Sequence, residues 1–155
     1  MTTPTAAHPD SAMTPASNSA APTAVRKLSP VLLVDAIEPC LPLWTERLGF
    51  ELTVQVPEGD RLGFVILVKD GVEVMYQSWA SVRNDIPALA EGADPRATAH
   101  TALFIEVADV EAVARVVQSD PSIEVAVARR KTFYGMDEIG VREPGGHVVI
   151  FAQQT

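Results

Sequence analysis

Three histidines and one cysteine are the side chains of this 155-residue chain best suited to proton transfer, nucleophilic attack or metal ligation near neutral pH. His147 follows the turn-forming run Glu143-Pro144-Gly145-Gly146, which sets a carboxylate four residues before an imidazole. Such a pair is the raw material of an acid–base couple or of half a metal site. It is equally what a polar residue at the mouth of a strand looks like, and the choice depends on which strand face carries the chemistry. His100 and Glu106, in HTALFIEVAD, are six residues apart and so share one face of any strand that spans them. His8 lies in a segment with no apolar periodicity and is set aside. Cys40, in an apolar context, reads as a small core residue.

These residues must be positioned by regular elements, and the pattern of apolar residues supplies them. Residues 1–25 are nearly all Thr, Ala, Pro and Ser and read as a disordered tail with neither a secretory signal nor an Arg-rich transit peptide. An ordered domain is expected over 26–155. It opens with the strand LSPVLLVDA, then a helix in IEPCLPLWTERLGF, where Ile37, Leu41, Trp44 and Leu48 recur at helical spacing and Gly49 ends the run. ELTVQV, RLGFVILV and VEVMYQSW follow as strands, the last two joined by Lys69-Asp70-Gly71, whose Asp-Gly is a hairpin signal. Residues 80–99 read as a connector. The order then repeats: HTALFIEVAD as a strand, Asp109 as the N-cap of VEAVARVVQS, and strands near 122–129, 132–142 and 147–153. Glu143-Pro144-Gly145-Gly146 suits a type II turn with Gly145 at its third position. The chain is thus duplicated at about 70 residues, module one at 28–79 and module two at 100–153.

Composition narrows the functions. A net charge of -8 and a pI near 4.8 argue against nucleic acid, and the run Arg129-Arg130-Lys131 is too short to change that, reading as a solvated turn or strand end. No stretch approaches the roughly 18 apolar residues a membrane span needs. A lone cysteine excludes an internal disulfide framework and suits a reducing cytoplasm.

Two successive strand-helix-strand-strand-strand modules, with LWTERLGF closing the first helix and VREPGGHVVIFAQ closing the chain, resemble the vicinal oxygen chelate superfamily, the glyoxalase/bleomycin resistance protein/dioxygenase family. The resemblance covers residues 28–153. It implies an α+β fold, two βαβββ modules in tandem whose mixed sheet curls around a cleft with helices outside, and a homodimer that completes its clefts across a two-fold axis. In metal-dependent members the first and fourth strands of each module carry His or Glu ligands. The matching positions here are Ser29, Met75, Ala102 and Ile150, which supply neither carboxylate nor imidazole, so no metal and no other cofactor is expected.

Within that frame, period-two alternation sorts the strands. With Ile150 toward the cleft, His147, Val149 and Phe151 turn to the helix-packed face, and His147 becomes a structural residue of the turn. The cleft receives Glu73, Met75, Gln77 and Trp79 from module one, and His100, Ala102, Phe104 and Glu106 from module two. Glu106, between Ile105 and Val107, is read as a carboxylate on an enclosed face that calls for a cationic partner: a ligand, His100 or Arg61. Tyr134 lies where the resemblance implies an aromatic beside the cleft. Core packing is the competing explanation for Trp79 and Phe104, and solvent exposure for His100.

Met75, Gln77, Trp79, His100, Phe104, Glu106 and Tyr134 therefore form the candidate ligand set. The reading they support is a metal-independent, cytoplasmic binding protein of the bleomycin-resistance type, sequestering an aromatic, cationic small organic molecule. The alternative is a cofactor-free enzyme on the same scaffold, lyase- or isomerase-like, with Glu106 or His100 as general base. Elemental analysis of the dialysed protein is expected to find no stoichiometric metal. One Fe, Mn, Ni or Zn retained per chain would overturn the assignment of the four positions.

Overall fold

The structure is a computed structural model that describes residues 23–94 and 101–155. The tail expected over 1–25 lies outside these apart from residues 23–25, as do His8 and His100. Strands β1 (Val31–Val34), β2 (Glu51–Glu58), β3 (Arg61–Lys69) and β4 (Val72–Ser78) form one four-stranded sheet in the order β1-β4-β3-β2. Strands β5 (Ala102–Glu106), β6 (Glu124–Lys131), β7 (Met136–Arg142) and β8 (Val148–Gln154) repeat it as β5-β8-β7-β6. In each sheet the first strand pairs in parallel with the fourth and the other pairs are antiparallel. The tandem α+β architecture that the resemblance implies is the one observed.

Local chemistry explains the turns. Asp70 and Gly71 both take positive φ, 50° and 78°, so β3 and β4 are joined by a two-residue turn of the hairpin-favouring hand. Asp109 accepts a hydrogen bond from the Ala112 N–H at 3.0 Å and caps α3 (Val110–Ser119), whose inner residues Val110, Ala114 and Val117 are buried. The Glu143 turn departs from expectation. Gly146, not Gly145, has the positive φ, at 96°, and its N–H donates to the Glu143 carbonyl at 2.8 Å. Two residues of negative φ followed by a left-handed glycine are not a type II turn. They match the three-residue hairpin loop that ends in a bulge. Gly145 serves a different need, since a Cβ there would fall 2.4 Å from Val34 Cγ1.

The first helix also differs. Pro39 and Pro42 remove two N–H donors, and the segment divides into a 3₁₀ turn at Glu38–Cys40 and a wide-wound stretch at Leu43–Arg47. The Leu48 N–H reaches back five residues to the Leu43 carbonyl at 3.0 Å. The winding alters the buried stripe, so Ile37, Cys40, Leu43 and Trp44 are buried while Leu41 and Leu48 are only half-buried. The connector is more structured than its composition implied. Ser78 accepts from the Ser81 N–H at 3.2 Å and caps α1 (Trp79–Asp85), which α2 (Pro87–Ala90) follows. Among the described residues no helix is long and apolar enough to cross a membrane.

One core joins both modules, with Leu32, Val34, Trp44, Val65, Leu67 and Tyr76 from the first and Val110, Ile139, Val149 and Phe151 from the second. A polar chain runs through it. Trp44 Nε1–H donates to Tyr76 Oη at 2.8 Å, and Tyr76 Oη–H donates to Glu143 Oε2 at 2.8 Å. Glu143, 1% exposed, also accepts the Gly145 N–H at 3.0 Å and the His147 N–H at 2.6 Å. Burial first, and then the nearby Glu143 carboxylate, push the Cys40 thiol and the Tyr76 phenol far above their usual range. Tyr76→Phe would strip a donor from a buried carboxylate and the acceptor from Trp44. Urea unfolding is expected to show a loss of about 1–3 kcal/mol with an unchanged m-value. A loss under about 0.5 kcal/mol, the range of neutral surface changes, would contradict this role.

Candidate functional site

Residues paired across a ladder project from the same face of the sheet, and this builds the candidate site on the outer face of the second sheet. Glu106 on β5 pairs with Ala152 on β8, Ala152 with Glu138 on β7, and Glu138 with Arg130 on β6. One row across all four strands therefore reads carboxylate, methyl, carboxylate, guanidinium. The next row reads Phe104, Ile150, Gly140, Val127. Gly140 keeps that row shallow, because a Cβ there would lie 2.9 Å from Val127 Cβ. An apolar trough thus runs beside a charged row. Phe104 leaves 53% of its surface open at one end of the trough.

The charged row is organised by Glu138, which is 1% exposed. Its Oε1 accepts Arg130 Nε–H at 2.9 Å and lies 2.7 Å from Arg130 Nη2, while Oε2 accepts the Tyr134 hydroxyl at 2.8 Å. The Glu138 carboxylate, ahead of every other cause, holds Arg130 more firmly protonated than a free guanidinium. Tyr134 belongs to the turn between β6 and β7. There the Thr132 N–H donates to the Met136 carbonyl at 2.8 Å, and the Thr155 N–H donates to the Gly135 carbonyl at 3.0 Å. Phe133 on the same turn is fully exposed and packs only edge-on against Tyr134, with ring centroids 5.1 Å apart. Arg129 is turned elsewhere, pairing with Asp137 at 3.1 Å and with Glu111.

The sequence-derived set is divided by this geometry. Phe104 and Glu106 belong to the second sheet and Tyr134 to its β6–β7 turn, Met75 and Gln77 to the first sheet, and among the described residues no strand pairing joins the two sheets. Met75, half-buried, pairs with Val31 and Ile66. Gln77 is buried and its amide donates to Ser81 Oγ at 3.2 Å and Asp85 Oδ2 at 3.1 Å. Trp79 opens α1 instead of continuing β4, because the Ser78 cap ends the strand. Strand alternation therefore does not place it. His100 lies outside the described residues. Glu106 is exposed, not enclosed, so its charge carries no burial penalty. Arg61 is not its partner, pairing instead with Glu38 at 3.7 Å.

Two residues of the row, Glu138 and Arg130, were not in the set. The run Arg129-Arg130-Lys131 by itself reads as a solvated turn or strand end, which hides Arg130. The signal that could have found the pair is a carboxylate alternating with buried Ile139 and Val141, opposite an arginine eight residues earlier across a turn. His147 is resolved as the alternation implied. Its Nε2 lies 3.0 Å from the Leu33 carbonyl, which can only accept, so the ring proton sits on Nε2; Nδ1 is buried without a partner. At the expected metal positions, Met75 stands beside Val31 and Ile150 beside Phe104, all carbon or thioether. Ser29 donates its hydroxyl to Glu73 at 2.7 Å, and Lys27 pairs with the same carboxylate at 2.6 Å. Those two partners, Lys27 first, hold the Glu73 carboxyl below its usual range. No group of three or more metal-ligating side chains occurs among the described residues.

The fold is shared with proteins of known structure. A glyoxalase/bleomycin resistance protein/dioxygenase from Nocardioides superposes with a TM-score of 0.66 at 16% identity, covering 85% of this chain and 86% of that one. A bleomycin-binding protein from bleomycin-producing Streptomyces verticillus, solved with copper(II)-bleomycin, gives 0.56 at 23% identity over 86% and 99%. An antibiotic-binding protein from Streptomyces gives 0.60 at 15% over 86% and 100%. No family model and no curated protein matches the chain.

Proposed function

We propose, on the premise of the vicinal oxygen chelate fold that this chain shares with the bleomycin-binding and glyoxalase-type structures, that it is a small-molecule binding protein taking a planar, cationic organic ligand on the outer face of its second sheet. The observation that carries the proposal is Phe104, held half-open at the end of an apolar trough with the exposed carboxylate of Glu106 two residues along the same strand. A flat aromatic can lie on Phe104 and the trough, and its cation can meet Glu106. A pocket so built supplies apolar contact area with few directional groups, the usual composition of a ligand site.

The opposite wall of this site is a second copy of the chain. The first sheet presents an outer face of exposed Val31, Val54 and Val56 around half-buried Phe64, Ile66 and Met75, an apolar surface that a monomer would leave open to water. Set against the second sheet of a partner, it would sandwich a planar ligand and bring Met75 into the same cleft as Phe104. The alternative role of Glu106 as a general base would need a group that orients it, and among the described residues none hydrogen-bonds to it.

Two measurements test the proposal. Sedimentation at micromolar concentration is expected to show a dimer, and a monomer would remove the second wall. In calorimetric titrations with planar cations, bleomycin included, Phe104→Ala and Glu106→Gln are each expected to weaken binding by about 1–3 kcal/mol. Only the Glu106 contribution should fade as salt is raised. Tighter binding of cations by Glu106→Gln would overturn the assignment.

A further inference from the structure

The proposed ligand cleft contains a second charged arm that a purely cationic ligand leaves unused. Glu138 takes the side edge of the Arg130 guanidinium, Nε and Nη2, on a single oxygen, and its other oxygen is taken by Tyr134. A guanidinium has two edges that can bind a planar oxyanion in bidentate fashion; Glu138 takes the Nε/Nη2 edge, the Tyr134 hydroxyl also acts on the group, and the end-on edge, Nη1 with the outer Nη2 proton, is the one that Glu138 does not take. The Arg130 side chain is 59% exposed although the carboxylate that fixes it is buried. Tyr134 and the bonded turn that carries it hold the far side of Glu138, so the guanidinium is oriented before any ligand arrives.

Arg130 and Glu106 stand at opposite ends of the same row, on the two edge strands β6 and β5. Three interstrand spacings separate them, roughly 14 Å between backbones. The apolar trough of Phe104, Ile150, Gly140 and Val127 runs parallel to the line between them. We infer that the ligand of this cleft is dipolar: an elongated flat body lying along the trough, with a cationic group at Glu106 and a carboxylate or similar planar oxyanion on the end-on edge of Arg130. This rests on the binding function proposed above and names the class of molecule within it. It also accounts for how a chain of net charge -8 would hold an anionic group, by local geometry and not by its overall field.

A matched set of biphenyls tests the inference by calorimetry on the full chain. One carries an aminomethyl group at one para position and a carboxylate at the other; the comparators carry only the aminomethyl or only the carboxylate group. The zwitterion is expected to bind roughly tenfold tighter than the aminomethyl compound, the gain of a charge-assisted fork. Arg130→Gln should abolish that advantage. Arg130→Lys keeps a cation beside buried Glu138, guarding against simple misfolding, and should still lose most of the advantage because a point charge cannot form the fork. If the aminomethyl compound binds in a Phe104-dependent way and the carboxylate adds nothing, the dipolar inference fails while the binding function stands. If no member binds, both fail. An equal loss for all three compounds in Arg130→Lys would show that Arg130 only supports the fold, and would also overturn the inference.

Discussion

The chain Trp44–Tyr76–Glu143 is the constraint from which the rest of the geometry follows. Its members come from the wide-wound helix, from β4 and from the β7–β8 turn, so it fastens the last hairpin of module two to the core of module one. A carboxylate this deep is tolerable only when its lone pairs are filled, and the phenol and two backbone N–H groups fill them. The bulged turn that supplies those N–H groups brings Gly145 against Val34 and His147 against the Leu33 carbonyl, which leaves no room for a side chain at Gly145. With the inner faces of both sheets locked into one core, their outer faces are left for other contacts.

That division explains how one chain can carry a buried glutamate for structure and another for presenting an arginine. Glu143 is surrounded by donors from the core and has nothing left to offer a ligand. Glu138 is as buried, yet its partners Arg130 and Tyr134 come from the exposed β6–β7 edge, so the charge it anchors is displayed outward. Burial alone does not distinguish these two carboxylates; the direction their partners face does.

Much of this was legible in the sequence, for identifiable reasons. The Asp70-Gly71 hairpin and the Asp109 cap rest on short-range chemistry and were realised. Alternation sent Val74, Tyr76, Val149 and Phe151 inward, and His147 with them, because a period of two tolerates no slip where one face is buried. What could not be read depended on distant partners. Tyr76 and Glu143 are 67 residues apart in the chain, and nothing in EPGGH marks the glutamate as a core acceptor. The type II assignment failed for a related reason: Gly145 is demanded by Val34 across the fold, and only Gly146 by the backbone.

The candidate site was half visible on the same grounds. Phe104 and Glu106 follow from parity within one strand, whereas Glu138 and Arg130 come into register only after a bulge in β6 that the sequence does not announce. Trp79 was misplaced because parity was carried one residue beyond Ser78, where a hydroxyl that can cap a helix competes with continuation of the strand. Both errors arise where a strand yields to another local preference. Inward-facing positions resist such slips because a buried face fixes their register; an outer face does not, and it is there that both the residues and their spacing are free to suit a ligand.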